Sequence, residues 1–96
     1  MSEPFHLKIY AADKAFYDAD AVSVTIPVTD GGMQILAHHE PLVVATVTGI
    51  IKVDPGDGEP LIGIAGVGFT EITRNEVVVL VDSIERPEEI DEARAR

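Results

Sequence analysis

Apolar residues alternate with polar ones along much of this chain. Phe5, Leu7 and Ile9 alternate with His6, Lys8 and Tyr10, and Val22, Val24, Ile26 and Val28 alternate with Ser23, Thr25 and Pro27. A period of two sends successive side chains to opposite faces of an extended chain, so both stretches predict half-buried strands. Residues 33–36 form a shorter candidate. Residues 42–47 are a more continuous apolar run, which predicts a strand buried on both faces or one lying at an interface. Residues 50–53 continue it beyond Gly49, and 61–65, 69–73 and 77–81 complete the set.

The breaks between these runs carry turn chemistry. Asp30-Gly31-Gly32 predicts a tight turn in which glycine supplies a positive φ. Residues 54–60 (Asp-Pro-Gly-Asp-Gly-Glu-Pro) predict an exposed hairpin loop. Gly66 and Gly68 suggest a bulge or a close backbone approach. Residues 73–76 predict a short hairpin connection. Short strands at this spacing predict an all-β fold, a small flattened β-sandwich or barrel of about eight to ten strands.

The last dozen residues change character. Pro87 suits a first helical turn, where its missing N–H is not needed. Glu88, Glu89, Asp91 and Glu92 favour the positive end of a helix dipole, and Glu92 to Arg96 is a favourable i,i+4 pair. The expected division is a β-sandwich domain over 1–84, then a linker and the first turns of a truncated helical segment over 85–96.

Seventeen acidic and seven basic side chains give a net charge of −10. The acidity is spread over the domain, since residues 1–84 hold twelve acidic and four basic groups. No basic stripe exists to neutralise phosphates, which argues against nucleic acid as a partner. Solubility and mutual repulsion are the plain consequence, and a basic partner surface is the more specific alternative. The absence of cysteine excludes a disulfide framework and thiolate metal sites.

The candidate chemistry is thin. His38-His39-Glu40 would need a fourth donor, and adjacent strand residues face opposite ways, so no metal site is assigned. Asp18 and Asp20 lack a pocket to separate their proton affinities. Ser23 and Ser83 have no base nearby in sequence. Gly63, Gly66 and Gly68 do not form a phosphate-cradling loop ahead of a helix. No catalytic residue and no cofactor are expected.

Several segments, taken in order, resemble the epsilon subunit of rotary ATP synthases. Phe5-His6-Leu7-Lys8-Ile9, with Ala12-Asp13-Lys14 and Phe16-Tyr17-Asp18, looks like the opening of that family. Residues 32–42 (Gly-Met-Gln-Ile-Leu-Ala-His-His-Glu-Pro-Leu) are similar to its Gly-Glu-Leu-Gly-Ile-Leu-Pro-Gly-His-x-Pro-Leu segment. Gly66-Val67-Gly68-Phe69-Thr70-Glu71-Ile72 looks like its Ser-Gly-Gly-Phe-x-Glu-Val segment, and residues 75–82 look like its last strand. Ile90-Asp91-Glu92-Ala93-Arg94-Ala95 matches the opening of its C-terminal helical hairpin.

The resemblance implies a non-catalytic rotor part of the central stalk, coupling rotation of the c-ring to ATP synthesis. Its implied partners are the gamma subunit and the c-ring, with membrane contact only through the complex at the cytoplasmic face of a bacterial inner membrane. The family's ring-contacting loop falls on Thr29, Asp30, Gly31, Gly32 and Met33. Its gamma-facing surface falls on His39, Pro41, Leu42 and Val44. The matching remnant of a nucleotide site is Glu85, Ile90, Asp91 and Arg94. ATP binding is not expected, because a triphosphate needs more positive charge than Arg86, Arg94 and Arg96 supply on so acidic a domain. The chain departs from the family pattern at Gly32, where a loop glutamate is usual, at Ala37-His38, usually Pro-Gly, and at Val67, usually glycine.

Two rival readings stand beside this one. A free-standing β-sandwich ligand module would display aromatics as stacking platforms. Here Phe5, Tyr10, Phe16, Tyr17 and Phe69 mostly fall at core-like strand positions. A small metal-dependent enzyme would have to work through His38, His39 and Glu40.

Overall fold

A computed structural model describes residues 3–88. It contains ten strands in two five-stranded sheets. The first sheet has the order β2-β1-β9-β8-β5, formed by β2 (Lys14–Ala21), β1 (Phe5–Ala11), β9 (Glu76–Val81), β8 (Gly68–Ile72) and β5 (Leu42–Thr46). The second has the order β10-β7-β6-β3-β4, formed by β10 (Ile84–Glu85), β7 (Leu61–Ala65), β6 (Gly49–Asp54), β3 (Ser23–Val28) and β4 (Gly31–Ile35). Only β1 and β9 run parallel among the described strand pairs; the rest are antiparallel. The all-β sandwich expected from the alternation is therefore the observed fold.

The core is the layer between the sheets. Leu7, Ile9, Val77 and Val79 enter it from the first sheet, and Val24, Ile26, Ile35, Ile51 and Val53 from the second. Every one of these residues lies in a period-two or apolar run of the sequence. Burying each aliphatic side chain is worth about 1.5–3 kcal/mol before the cost of chain ordering.

Three features depart from the sequence pattern. Strand β2 is absent from it, because Lys14-Ala-Phe-Tyr-Asp-Ala-Asp-Ala21 has weak apolar alternation and lies mostly exposed. Pairing with β1 imposes the strand, with Leu7 opposite Ala19 and Ile9 opposite Tyr17. The register then slips, so that Tyr10 faces Ala15 and Phe16 is the extra residue of a bulge. The bulge aims Phe16 at the gap beside Gly63 and Ile84, and the Arg86 guanidinium lies 5.7 Å above its ring centroid. Second, the Asp30–Gly32 turn sits one residue early: Thr29 and Asp30 form it, and β4 begins at Gly31 with φ +123°. Third, residues 42–47 are not buried on both faces. Strand β5 is an edge strand, and Val43 is 66% exposed.

Gly68 makes the close backbone approach that its sequence context suggested. A Cβ there would lie 1.9 Å from the Leu80 carbonyl oxygen. Pro87 and Glu88 have helical backbone conformation, as the helix-start pattern predicts, and residues 89–96 lie outside the described residues.

The core carries one polar defect. The hydroxyls of Thr46 and Thr70 are buried with no hydrogen-bond partner among the described residues. An unsatisfied buried hydroxyl costs free energy that an apolar group of the same shape does not. Thr70→Val is expected to stabilise the domain by about 1 kcal/mol. Urea unfolding of the two proteins checks this, and a lower midpoint in the variant would refute it.

Candidate docking surface

Register across the first sheet defines its outer face. Ala45 pairs with Phe69, Phe69 with Leu80, and Leu80 with Tyr10, so these four side chains form one row across β5, β8, β9 and β1. At a strand spacing of 4.7–4.9 Å the row is about 14 Å long. The next row runs Val43, Glu71, Val78, Lys8 and Asp18. Phe69 is 50% exposed and Leu80 38%. Val47 and Val67 extend the exposed apolar area at one end. Across these two rows the outer face is thus apolar over β5, β8 and β9 apart from Glu71, and polar over β1 and β2.

The polar half is held together by histidine and carboxylates. His6 Nε2 lies 2.7 Å from Asp18 Oδ1, and its Nδ1 lies 3.6 Å from Asp20 Oδ1. The Tyr10 hydroxyl donates to Asp18 Oδ2 at 3.3 Å, and Lys8 Nζ lies 3.8 Å from Glu76 Oε1. The hydrogen bond with His6 holds the Asp18 carboxyl below its ordinary value of 3.8, with smaller help from Tyr10 and Lys8 and against some desolvation. A lowered carboxyl contributes stability above its unfolded-state value, and that contribution fades as pH falls through the folded-state value. Asp18→Asn is therefore expected to lower the melting temperature slightly at neutral pH. The difference from wild type should begin to shrink as pH falls through 3.8, where the unfolded carboxyl takes up its proton, and vanish only at the lower pH where the folded carboxyl is protonated as well. Melting curves at a series of pH values check this, and a difference constant with pH would refute it.

The described positions singled out in the sequence fall in three places: the β3–β4 turn, the segment leading into β5, and β10. Thr29, Asp30, Gly31 and Gly32 are exposed in the β3–β4 turn, while Met33 is half-buried opposite Ile26. His39 is half-buried, and its Nδ1 lies 3.0 Å from the Glu40 carbonyl oxygen. Pro41 is exposed, and Leu42 is 46% exposed. Val44 differs, because it is half-buried and packs against the core. Its neighbour Val43 takes the outward position, which sequence reasoning missed. Glu85 is exposed in β10 and pairs with Ile64. Ile90, Asp91 and Arg94 lie outside the described residues.

Phe69 corrects an expectation about the aromatics. Its strand places it at an outer position, so it is not a core residue, and none of Phe5, Tyr10, Phe16, Tyr17 and Phe69 is fully buried. The pattern 69–73 runs Phe-Thr-Glu-Ile-Thr, and the true inward set is Thr70 and Ile72. Bulk at Phe69 masked this phase.

Two clefts offer alternative chemistry. One of about 210 Å³ is lined by His38, His39, Glu40, Pro41 and Arg74. His38 has φ +66°, in the left-handed region, and pairs with Glu3. Among the described residues no three histidines or carboxylates are grouped to hold a metal ion. The other cleft, about 360 Å³, is lined by Glu59, Pro60, Leu61, Ile62, Arg86, Pro87 and Glu88. Its two carboxylates oppose an anionic ligand.

Comparison with known proteins settles the family. Residues 4–87 match the model of the ATP synthase delta/epsilon chain β-sandwich domain. The chain belongs to that family. It is 40% identical to the ATP synthase epsilon chain of Acaryochloris marina over 90 residues, 94% of this chain and 64% of the relative. It is 42% identical to that of Dehalococcoides mccartyi strain CBDB1 over 89 residues, 93% of this chain and 63% of the relative. The chain thus spans just under two thirds of the length of these curated relatives. Among solved structures, its fold matches a chain of the Euglena gracilis mitochondrial ATP synthase OSCP/F1/c-ring assembly with TM-score 0.86 at 24% identity, covering 95% of this chain and 58% of that one. A chain of the Tetrahymena thermophila mitochondrial ATP synthase central stalk and c-ring matches with TM-score 0.74 at 11% identity, covering 93% of this chain and 71% of that one.

Proposed function

We propose that this chain is a non-catalytic rotor subunit of an ATP synthase. Its rigid sandwich docks on the gamma subunit and on the c-ring and helps to couple ring rotation to ATP synthesis. The observation that carries this reading is the exposed apolar row Ala45, Phe69, Leu80 and Tyr10, with Val43 beside it. A contiguous apolar area rimmed by charge is the usual mark of a protein-binding face. Torque transfer needs a stiff body with complementary surfaces rather than reactive groups, and a two-sheet core meets that need. Family membership and the likeness to central-stalk chains support the reading.

The gamma subunit then covers the outer face of the first sheet, with His39, Pro41 and Leu42 at its border. The exposed turn Thr29–Asp30–Gly31–Gly32 meets the ring, with Met33 anchoring it from below. Through those contacts the protein is peripheral at the cytoplasmic face of a bacterial inner membrane. Glu85, Ile90, Asp91 and Arg94, the positions that match a nucleotide site in the family, are too poor in cations to hold ATP.

The test is capture of purified gamma subunit by the wild-type chain and by the double variant Val43→Asp, Phe69→Asp, both confirmed as folded by circular dichroism. Capture by wild type alone supports the docking face. No capture by folded wild type overturns it.

A further inference from the structure

We propose that the partner on the outer face of the first sheet also adds a β-strand to the free edge of β5, extending that sheet across the interface. This rests on the docking reading above and goes beyond it in naming a backbone contact.

The two sheets have four edges, and three of them are blunted. Strand β2 carries Lys14, Asp18 and Asp20 and a bulge. Strand β10 has two residues, and β4 opens with Gly31 and Gly32. Charge, bulges and shortness are usual devices that stop an edge from pairing, and glycine weakens the strand that contains it. Strand β5, Leu42-Val-Val-Ala-Thr46, has none of them.

The backbone of β5 faces the right way. The Asp82 N–H bonds to the Val67 carbonyl at 3.0 Å, which turns Val67, Phe69 and Glu71 toward β9 and Gly68, Thr70 and Ile72 toward β5. Leu42, Val44 and Thr46 pair with those three, so their N–H and C=O groups are used within the sheet. By alternation Val43 and Ala45 present theirs to the open side. Val47, of the same parity, confirms the direction, since its N–H leaves the sheet to reach the Pro27 carbonyl at 3.0 Å. The side chains of Val43 and Ala45 stand on the docking face itself, so one occupant can cover both.

Charge selects that occupant. Pairing two copies through β5 would bring together chains of net charge −10. A partner strand with alternating apolar residues and basic flanks instead meets Glu71 beside Val43, and Glu40 two residues before β5. Such a strand is held by main-chain hydrogen bonds, with side chains setting specificity.

Amide hydrogen exchange of the complex with purified gamma subunit tests this. In the free chain the Val43 and Ala45 amides should exchange fast while Val44 and Thr46 are protected. On binding, Val43 and Ala45 should slow by about 100-fold. Ala45→Pro removes one outward donor at an edge position where proline is tolerated, and should weaken binding about tenfold. Binding that Phe69→Asp abolishes while the Val43 and Ala45 amides stay fast would keep the docking face and overturn the added strand. No binding at all would overturn both. Protection of the same amides in the free chain, with a dimer in sedimentation, would assign the edge to a second copy and overturn the proposal.

Discussion

Gly68→Ala is expected to cost the domain about 3 kcal/mol or more of folding stability, at the upper end of overpacking penalties. An added Cβ would stand 1.9 Å from the Leu80 carbonyl oxygen and 2.7 Å from Val81 Cα. Both are backbone atoms of β9, the strand that joins β8 to β1. No rotamer change can relieve such a clash; the strands themselves must separate. Gly68 also faces Thr46 and Val81 across both ladders, so the disturbance reaches the whole half of the sheet. For a domain of this size the melting temperature should fall by about 15 °C. Gly58→Ala is the control for chain entropy, because its position has a positive φ but nothing within 4 Å of an added Cβ. It should cost about 1 kcal/mol through backbone strain alone. Equal losses in the two variants would refute the steric account.

The second large effect concerns binding. Val43→Asp with Phe69→Asp is expected to lower affinity for the gamma subunit at least about 100-fold, since central interface anchors carry about 2 kcal/mol or more each. Each change places a charge on an apolar face that the partner desolvates. The folded state itself should lose little, because Val43 is 66% and Phe69 50% exposed before binding. Val44→Asp is the contrasting variant. Val44 lies one residue along the same strand but is half-buried against the core, so a carboxylate there is partly desolvated and should lower the melting temperature, which the outward-facing double variant leaves nearly unchanged. Melting curves separate the two cases, and surface plasmon resonance reads the binding. Unchanged affinity in a folded double variant would move the gamma contact elsewhere.

The contrast between Val43 and Val44 marks where sequence reasoning stops. Two adjacent valines in an uncharged run carry no phase of their own. Their facing is set by pairing with Glu71 and Thr70 of β8. Phe69 shows the same limit from the other side. Its size suggested the core, but the hydrophobic layer was already filled by smaller residues, and Thr70 took the inward place. Strand β2 was illegible because its alanines and aspartates bury little; β1 makes it a strand by offering a ladder.

Features that depend on local chemistry are legible in consecutive residues. Alternation in β1 and β3, apolar β6, β7 and β9, and the glycine-rich turns together predict an all-β sandwich, because side-chain period and turn conformation are properties of a few consecutive residues. The order of five characteristic segments was enough to indicate the family. Tertiary structure alone decided which strand became an edge, which face of β5 and β8 met solvent, and where the backbone of β5 was left unpaired. Those outcomes depend on register between strands distant in the chain, and register is fixed by the packing of the whole core rather than by any one segment.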